Sequence, residues 1–211
     1  MKFNHILMEC HRPLCYHKEK EDYAMYFPED MTFQYFFFAT YPGYFLQTIP
    51  IALLAGLVVY RFRRTRRTPA AEALGAALFA SYLAGLVSLT LAFHLVSDLW
   101  YFLLYRAASG SHHSWLTFEF YLVPDFFRRF GSESLGNILL YLPFGILFPL
   151  ARRGSSWRKT VVAGILTSLT IEVLQPFVGR SFDINDIILN TLGVLLSASV
   201  FSAISACLHR H

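Results

Sequence analysis

The chain is 211 residues long, 55% hydrophobic and only 15% charged, with 21 phenylalanines and a mean hydropathy of +0.43. Soluble domains carry about 25% charged residues, and several apolar runs here reach the ~17–25 residues that a helix needs to cross a bilayer. Composition therefore excludes an ordinary water-soluble domain and predicts an all-α, polytopic membrane helical bundle. The net charge of +4 does not argue for nucleic acid, because the basic residues cluster in short loops between apolar runs, where membrane topology accounts for them.

Residues 1–30 are polar and mixed in charge, with no sustained apolar core of the kind a cleavable leader requires. Cys10 and Cys15 lie near His11 and His17, but the spacing matches no standard zinc pattern and no second ligand pair follows. No metal or other cofactor is expected. Residues 31–44 are rich in aromatic side chains, a composition suited to a headgroup belt. Residues 1–44 thus read as a tail with an interfacial segment, and 45–67 as a first span, about 45–60, with its basic loop. That loop, Arg61–Arg67, holds five arginines in seven residues.

The second span is predicted at about 71–93, rich in Ala, Gly, Ser and Leu as packed membrane helices often are. Residues 94–134 are too interrupted to span and too apolar to float free, which fits an interfacial or re-entrant segment. Trp100, Trp115 and Trp157 read as interfacial anchors and His112 and His113 as loop residues. Three further spans follow, at about 135–150, 160–177 and 183–208, making five. The third is followed by Arg152, Arg153, Arg158 and Lys159. By the positive-inside rule both basic loops face the cytoplasm, which puts the N-terminus outside and the C-terminus inside.

Against this apolar background, the stretch Glu172–Gly193 carries Glu172, Gln175, Arg180, Asp183, Asp186 and Asn190. Ionisable groups in membrane segments cost several kcal/mol and are functional candidates by default. Glu172 and Gln175 share a helical face, as do Asp183, Asp186 and Asn190. With Lys159 at the inner edge, Glu172 lies ~20 Å up a ~30 Å core, and Asn190 falls at a similar depth when Asp183 marks the outer edge. Asn137, near the outer start of the third span, is shallower. Three helices are therefore expected to direct polar side chains into one outward-opening pocket, with Arg180 forked toward the carboxylates.

The residues also resemble a known family. Asn137, Pro143, Phe144 and Gly145, then Glu172, Gln175, Arg180, Asp183, Asp186, Asn190 and Gly193, follow in order the pattern of the VanZ-like bacterial membrane proteins. The resemblance covers residues 71–208, taken as the VanZ-like domain. One departure lies in the outer loop, where the family often has Asn-Leu-x-Pro-Phe and this chain has Tyr121-Leu122-Val123-Pro124-Asp125. The resemblance implies a multi-pass protein of the bacterial cell membrane. The family's founding member is associated with low-level teicoplanin resistance, so it also implies an influence on glycopeptide resistance.

The expected function is binding rather than catalysis. Asn137, Glu172, Gln175, Arg180, Asp183, Asp186 and Asn190 would hold the headgroup of a membrane lipid or a lipid-linked cell-wall precursor, with Arg180 as anion clamp. The competing class is an intramembrane enzyme in which Glu172, Asp183 and Asp186 act as acid and base or hold a hard cation. A small transporter is disfavoured by the absence of an evident repeat, and a cluster that merely locks helices together is the plainest alternative.

Overall fold

The computed structural model describes residues 32–109, 115–128, 130–152 and 154–208. The cysteines and histidines of the tail, and His112 and His113, lie outside these residues. Among the described residues the chain forms seven α-helices: α1 (Phe33–Ala39), α2 (Tyr41–Thr65), α3 (Ala70–Thr90), α4 (Phe93–Tyr105), α5 (Ser132–Ala151), α6 (Trp157–Leu174) and α7 (Ile184–Leu208). Two dipeptide strands, β1 (Phe120–Tyr121) and β2 (Phe182–Asp183), form one short parallel pair. Five helices are long and apolar enough to cross a membrane: α2, α3, α5, α6 with its extension to Val178, and α7. Their outer faces expose Leu53, Leu57, Val58, Leu166, Val173, Leu196 and Val200, as a bundle solvated by lipid requires.

The first helices show how the predicted boundaries shift. The aromatic segment folds as α1 and turns into α2 at Thr40, whose side chain accepts the Gly43 N–H at 3.3 Å and caps the longer helix. Gln47 is almost wholly enclosed and donates to the Phe37 carbonyl at 2.5 Å. The second span ends at Thr90, three residues earlier than 93, because Leu91 and Ala92 both turn their N–H groups back to the Val87 carbonyl. α4 then starts at Phe93. At 13 residues it is too short to span. It packs against the first helices through Phe37–Trp100 and Phe38–Tyr101, each with centroids 5.5 Å apart. The Trp100 indole donates to the Gln47 carbonyl at 2.9 Å, so this tryptophan anchors α4 to α2. Trp157 donates to Ser199 Oγ at 3.1 Å and ties α6 to α7, whereas Trp115 is exposed.

The bundle centre is Leu86, Tyr141, Phe144, Ile171 and Val194, contributed by α3, α5, α6 and α7. α5 and α7 cross closely because Gly145 and Gly193 face the partner helix without a side chain. A Cβ on Gly193 would strike the Ile138 carbonyl, and one on Gly145 would strike Ser197 and the α7 backbone. This close crossing sets the distance between Asn137 on α5 and Asp186 on α7. Near the arginine loops, Gly75 of α3 abuts the Leu150 carbonyl of α5. The two basic loops therefore share one end of the bundle, and the starts of α5 and α7 lie at the other.

Candidate functional site

The site is built where α6 gives way to α7. Pro176 lacks the N–H needed to continue the α-helix, and the chain tightens into a 3-10 turn over Gln175–Val178. Gly179 then adopts a left-handed conformation, with φ 81°. The N–H groups of Gly179 and Arg180 both return to the Gln175 carbonyl, the latter at 3.1 Å. This reversal brings β2 down beside the last turn of α6.

Glu172 is 1% exposed, and its Oε2 accepts the Asp183 N–H at 3.2 Å. With its amide oriented to suit its neighbours, Gln175 donates to the same Oε2 at 3.1 Å and to the Ser181 carbonyl at 3.2 Å. The Asp183 carboxylate accepts the Asn185 N–H at 2.8 Å at the start of α7. Asp186 accepts from Asn137 Nδ2 at 2.5 Å across the α5–α7 crossing. Glu172, Asp183 and Asp186 lie close enough to feel one another's charge and that of Arg180. Polar side chains from α5, α6 and α7 thus converge at the end of the bundle opposite the arginine loops.

Two expectations need correction. Asn190 is not level with Glu172. It donates to Ser168 Oγ at 2.9 Å, and Ser168 lies four residues, or ~6 Å, further along α6 toward the arginine loops. The reason is that Asp183 does not mark the outer edge; the Gly179 turn draws it in to the level of Glu172. Arg180, in turn, does not fork a carboxylate. Its Nη1 donates to the Thr90 carbonyl at 3.5 Å, and among the described residues no carboxylate oxygen comes within ion-pair distance. The C-terminus of a helix attracts cations, and the break after Thr90 presents that end of α3 to the guanidinium.

Several contributors escaped the sequence reading. Tyr141 is 1% exposed. Its hydroxyl lies beside Ser168, within electrostatic range of Glu172 and Asp186, and makes no hydrogen bond of acceptable geometry. Asn190 Oδ1 is likewise buried without a partner. Asn185 exchanges hydrogen bonds with Asp125: Nδ2 donates to Asp125 Oδ1 at 2.9 Å, and Oδ1 accepts the Asp125 and Phe126 N–H groups at 3.0 and 3.3 Å. Asp125 stands at one of the positions where the chain departs from the family pattern, and here it makes a polar contact with α7. The capping residue of α7 is Asp183, which accepts the Asn185 N–H, so Asn185 carried no capping signal of its own in the sequence. The β1–β2 pairing and the Thr117 N–H to Pro176 carbonyl bond, at 2.9 Å, fasten the same loop over the α6–α7 turn.

Beside this network is a cavity of about 160 Å³ lined by Thr90, Leu91, Phe93, His94, Val178 and Arg180. Of the seven residues proposed from sequence, Arg180 alone lines it. Among the described residues, no group of three or more His, Cys, Asp or Glu side chains has an arrangement able to hold a metal ion.

The family model for VanZ/LLP1 matches residues 53–205, well over half of the chain. This chain belongs to the VanZ/LLP1 family. The match begins inside α2, so the VanZ/LLP1 region takes in the second half of the first span, α3 to α6 and nearly all of α7. No curated protein and no solved structure gives a match.

Proposed function

We propose that this VanZ/LLP1 chain binds the anionic headgroup of a cell-envelope lipid or lipid-linked precursor, with Arg180 as the contacting cation. The observation that carries this reading is the setting of Arg180. It is an exposed guanidinium at the edge of a cavity with the apolar walls Leu91, Phe93 and Val178, and no carboxylate neutralises it directly. A guanidinium is well matched to phosphate oxygens, and apolar walls beside it suit a ligand that is also lipid. Glu172, Gln175, Asp183, Asp186, Asn137 and Asn190 play a supporting part, holding the turn from which Arg180 projects. By the positive-inside rule this end faces away from the cytoplasm of a bacterial cell. Sequestering or presenting envelope precursors there would influence tolerance to glycopeptides such as teicoplanin.

The enzymatic alternative requires carboxylates open to substrate. Glu172 is enclosed and its Oε2 is occupied by two donors, so binding is the better-supported reading. The test is binding of a fluorescent polyprenyl monophosphate to the purified chain in nanodiscs. Arg180→Ala is expected to weaken binding about tenfold, a loss of ~1.4 kcal/mol, and Arg180→Lys to weaken it less. Equal affinity of wild type and Arg180→Ala overturns the reading.

A further inference from the structure

At the opposite end of the bundle is a larger groove of about 380 Å³, lined by Val59 and Arg63 of α2, Ala76, Phe79, Ala80 and Leu83 of α3, and Phe148, Ala151 and Arg152 at the end of α5. The small side chains of Ala76 and Ala80 leave its floor open. Its wall is stiffened by an aromatic group in which Phe79 meets Phe144 and Phe148 edge-on, with centroids 5.4 and 5.6 Å apart. The two arginines stand at the C-terminal ends of different helices, Arg63 in the last turn of α2 and Arg152 at the C-cap of α5, and both are exposed. Neighbouring arginines of the first loop are engaged locally: Arg64 donates to the Thr68 carbonyl at 3.0 Å, and Arg66 lies 4.5 Å over the Phe62 ring.

Topology alone explains why arginines occur at this end. It does not explain why two of them, from the ends of separate helices, border one apolar groove. Basic pockets between membrane helices bind anionic lipid headgroups. We infer that this groove holds one anionic glycerophospholipid, its phosphate between Arg63 and Arg152 and an acyl chain over Ala76, Ala80 and Phe148. The site is separate from Arg180 and stands whether or not the Arg180 reading does. Its occupant is a lipid rather than a helix of another protein because two cations guard an otherwise apolar slot.

The test uses the full chain in nanodiscs of phosphatidylcholine containing a trace of phosphatidylglycerol with a photoreactive acyl chain. Crosslinks are mapped by peptide mass spectrometry. Crosslinks are expected on α3 between Ala76 and Leu83, at least fivefold above those from photoreactive phosphatidylcholine. Arg63→Gln/Arg152→Gln should reduce them about tenfold, whereas Arg61→Gln/Arg158→Gln, which removes the same charge elsewhere, should leave them within twofold. Ala80→Leu keeps every charge and fills the floor, and should also abolish them; monodispersity and thermal unfolding establish that each variant is folded. Equal labelling by the two lipids, equal losses in both arginine pairs, or unchanged labelling in folded Ala80→Leu overturns the inference. So does a dimer that Ala80→Leu dissociates in phosphatidylcholine alone, since a helix would then occupy the groove.

Discussion

Asn137 and Asp186 meet across the α5–α7 crossing at 2.5 Å, an amide donating to a carboxylate that is half-buried between membrane helices. The pair exists because α5 and α7 approach closely at Gly145 and Gly193. Hydrogen bonds to charged groups contribute about 1.5–3 kcal/mol in soluble proteins, and interhelical bonds in membranes average about 0.6 kcal/mol. Asn137→Ala is therefore expected to destabilise the bundle by ~1–2 kcal/mol in denaturant unfolding from detergent. Adding Asp186→Leu should recover part of that loss, because no carboxylate is then left unpaired. Strict additivity in the double-mutant cycle would show that the contact contributes nothing.

The crossing itself yields a contrast between two glycines. Gly193→Ala drives a methyl group into the Ile138 carbonyl, a backbone atom that cannot swing aside. Overpacking of this kind costs about 1–3 kcal/mol. A Cβ on Gly136, in the first turns of α5, meets nothing within 4 Å. Gly136→Ala should therefore be neutral or stabilising, by up to about 1 kcal/mol. Thermal unfolding that ranks the two variants in the reverse order would disprove the packing described.

Glu172 offers a separation of structural from chemical roles. Its Oε2 accepts from the Asp183 N–H and the Gln175 amide, and a glutamine carbonyl can accept both as well. Glu172→Gln is expected to unfold within about 1 kcal/mol of wild type, whereas Glu172→Ala takes the acceptor from the half-buried Asp183 N–H and from one hydrogen of the buried Gln175 amide and should lose about 2–4 kcal/mol. If Glu172→Gln proves as damaging as alanine, the negative charge itself is needed.

Asn185 tethers the loop through Asp125 and Phe126. Asn185→Ala removes these bonds without opening the bundle core, so local loosening should exceed global loss. Hydrogen exchange over residues 119–128 is expected to quicken at least tenfold with the melting temperature nearly unchanged. Unaltered exchange would assign the loop's order to the β1–β2 pair instead.

The positive-inside rule predicts that the end carrying the basic loops faces the cytoplasm and the Arg180 network the outside. In a background with Cys10, Cys15 and Cys207 replaced by serine, Gly131→Cys should react with an impermeant maleimide in intact cells. Ser155→Cys should react only after lysis. The opposite pattern would turn Arg180 toward the cytoplasm and remove the proposed envelope ligand.

Much of the architecture was legible in the sequence. The spans are legible because each is a local property: an apolar run long enough for ~30 Å of hydrocarbon forms its own backbone hydrogen bonds wherever its neighbours lie. The breaks at Pro176 and Gly179 and the arginine runs are equally local, and so was the short, non-spanning segment after the second span. The identity of the polar residues was visible because charge stands out against an apolar background.

What those residues touch depended on the tertiary structure. Arg180 faces the end of α3, 90 residues away along the chain, because the Gly179 turn and the break after Thr90 happen to meet. Asn190 sits a turn below Glu172 because the same turn draws Asp183 inward. Tyr141 and Ser168 carry no sequence signal as hydroxyl-bearing residues in apolar helices, and they entered the network only when α5, α6 and α7 closed around them. Helix formation in a bilayer is decided within each segment, but the partner of a long polar side chain is decided by how the segments cross.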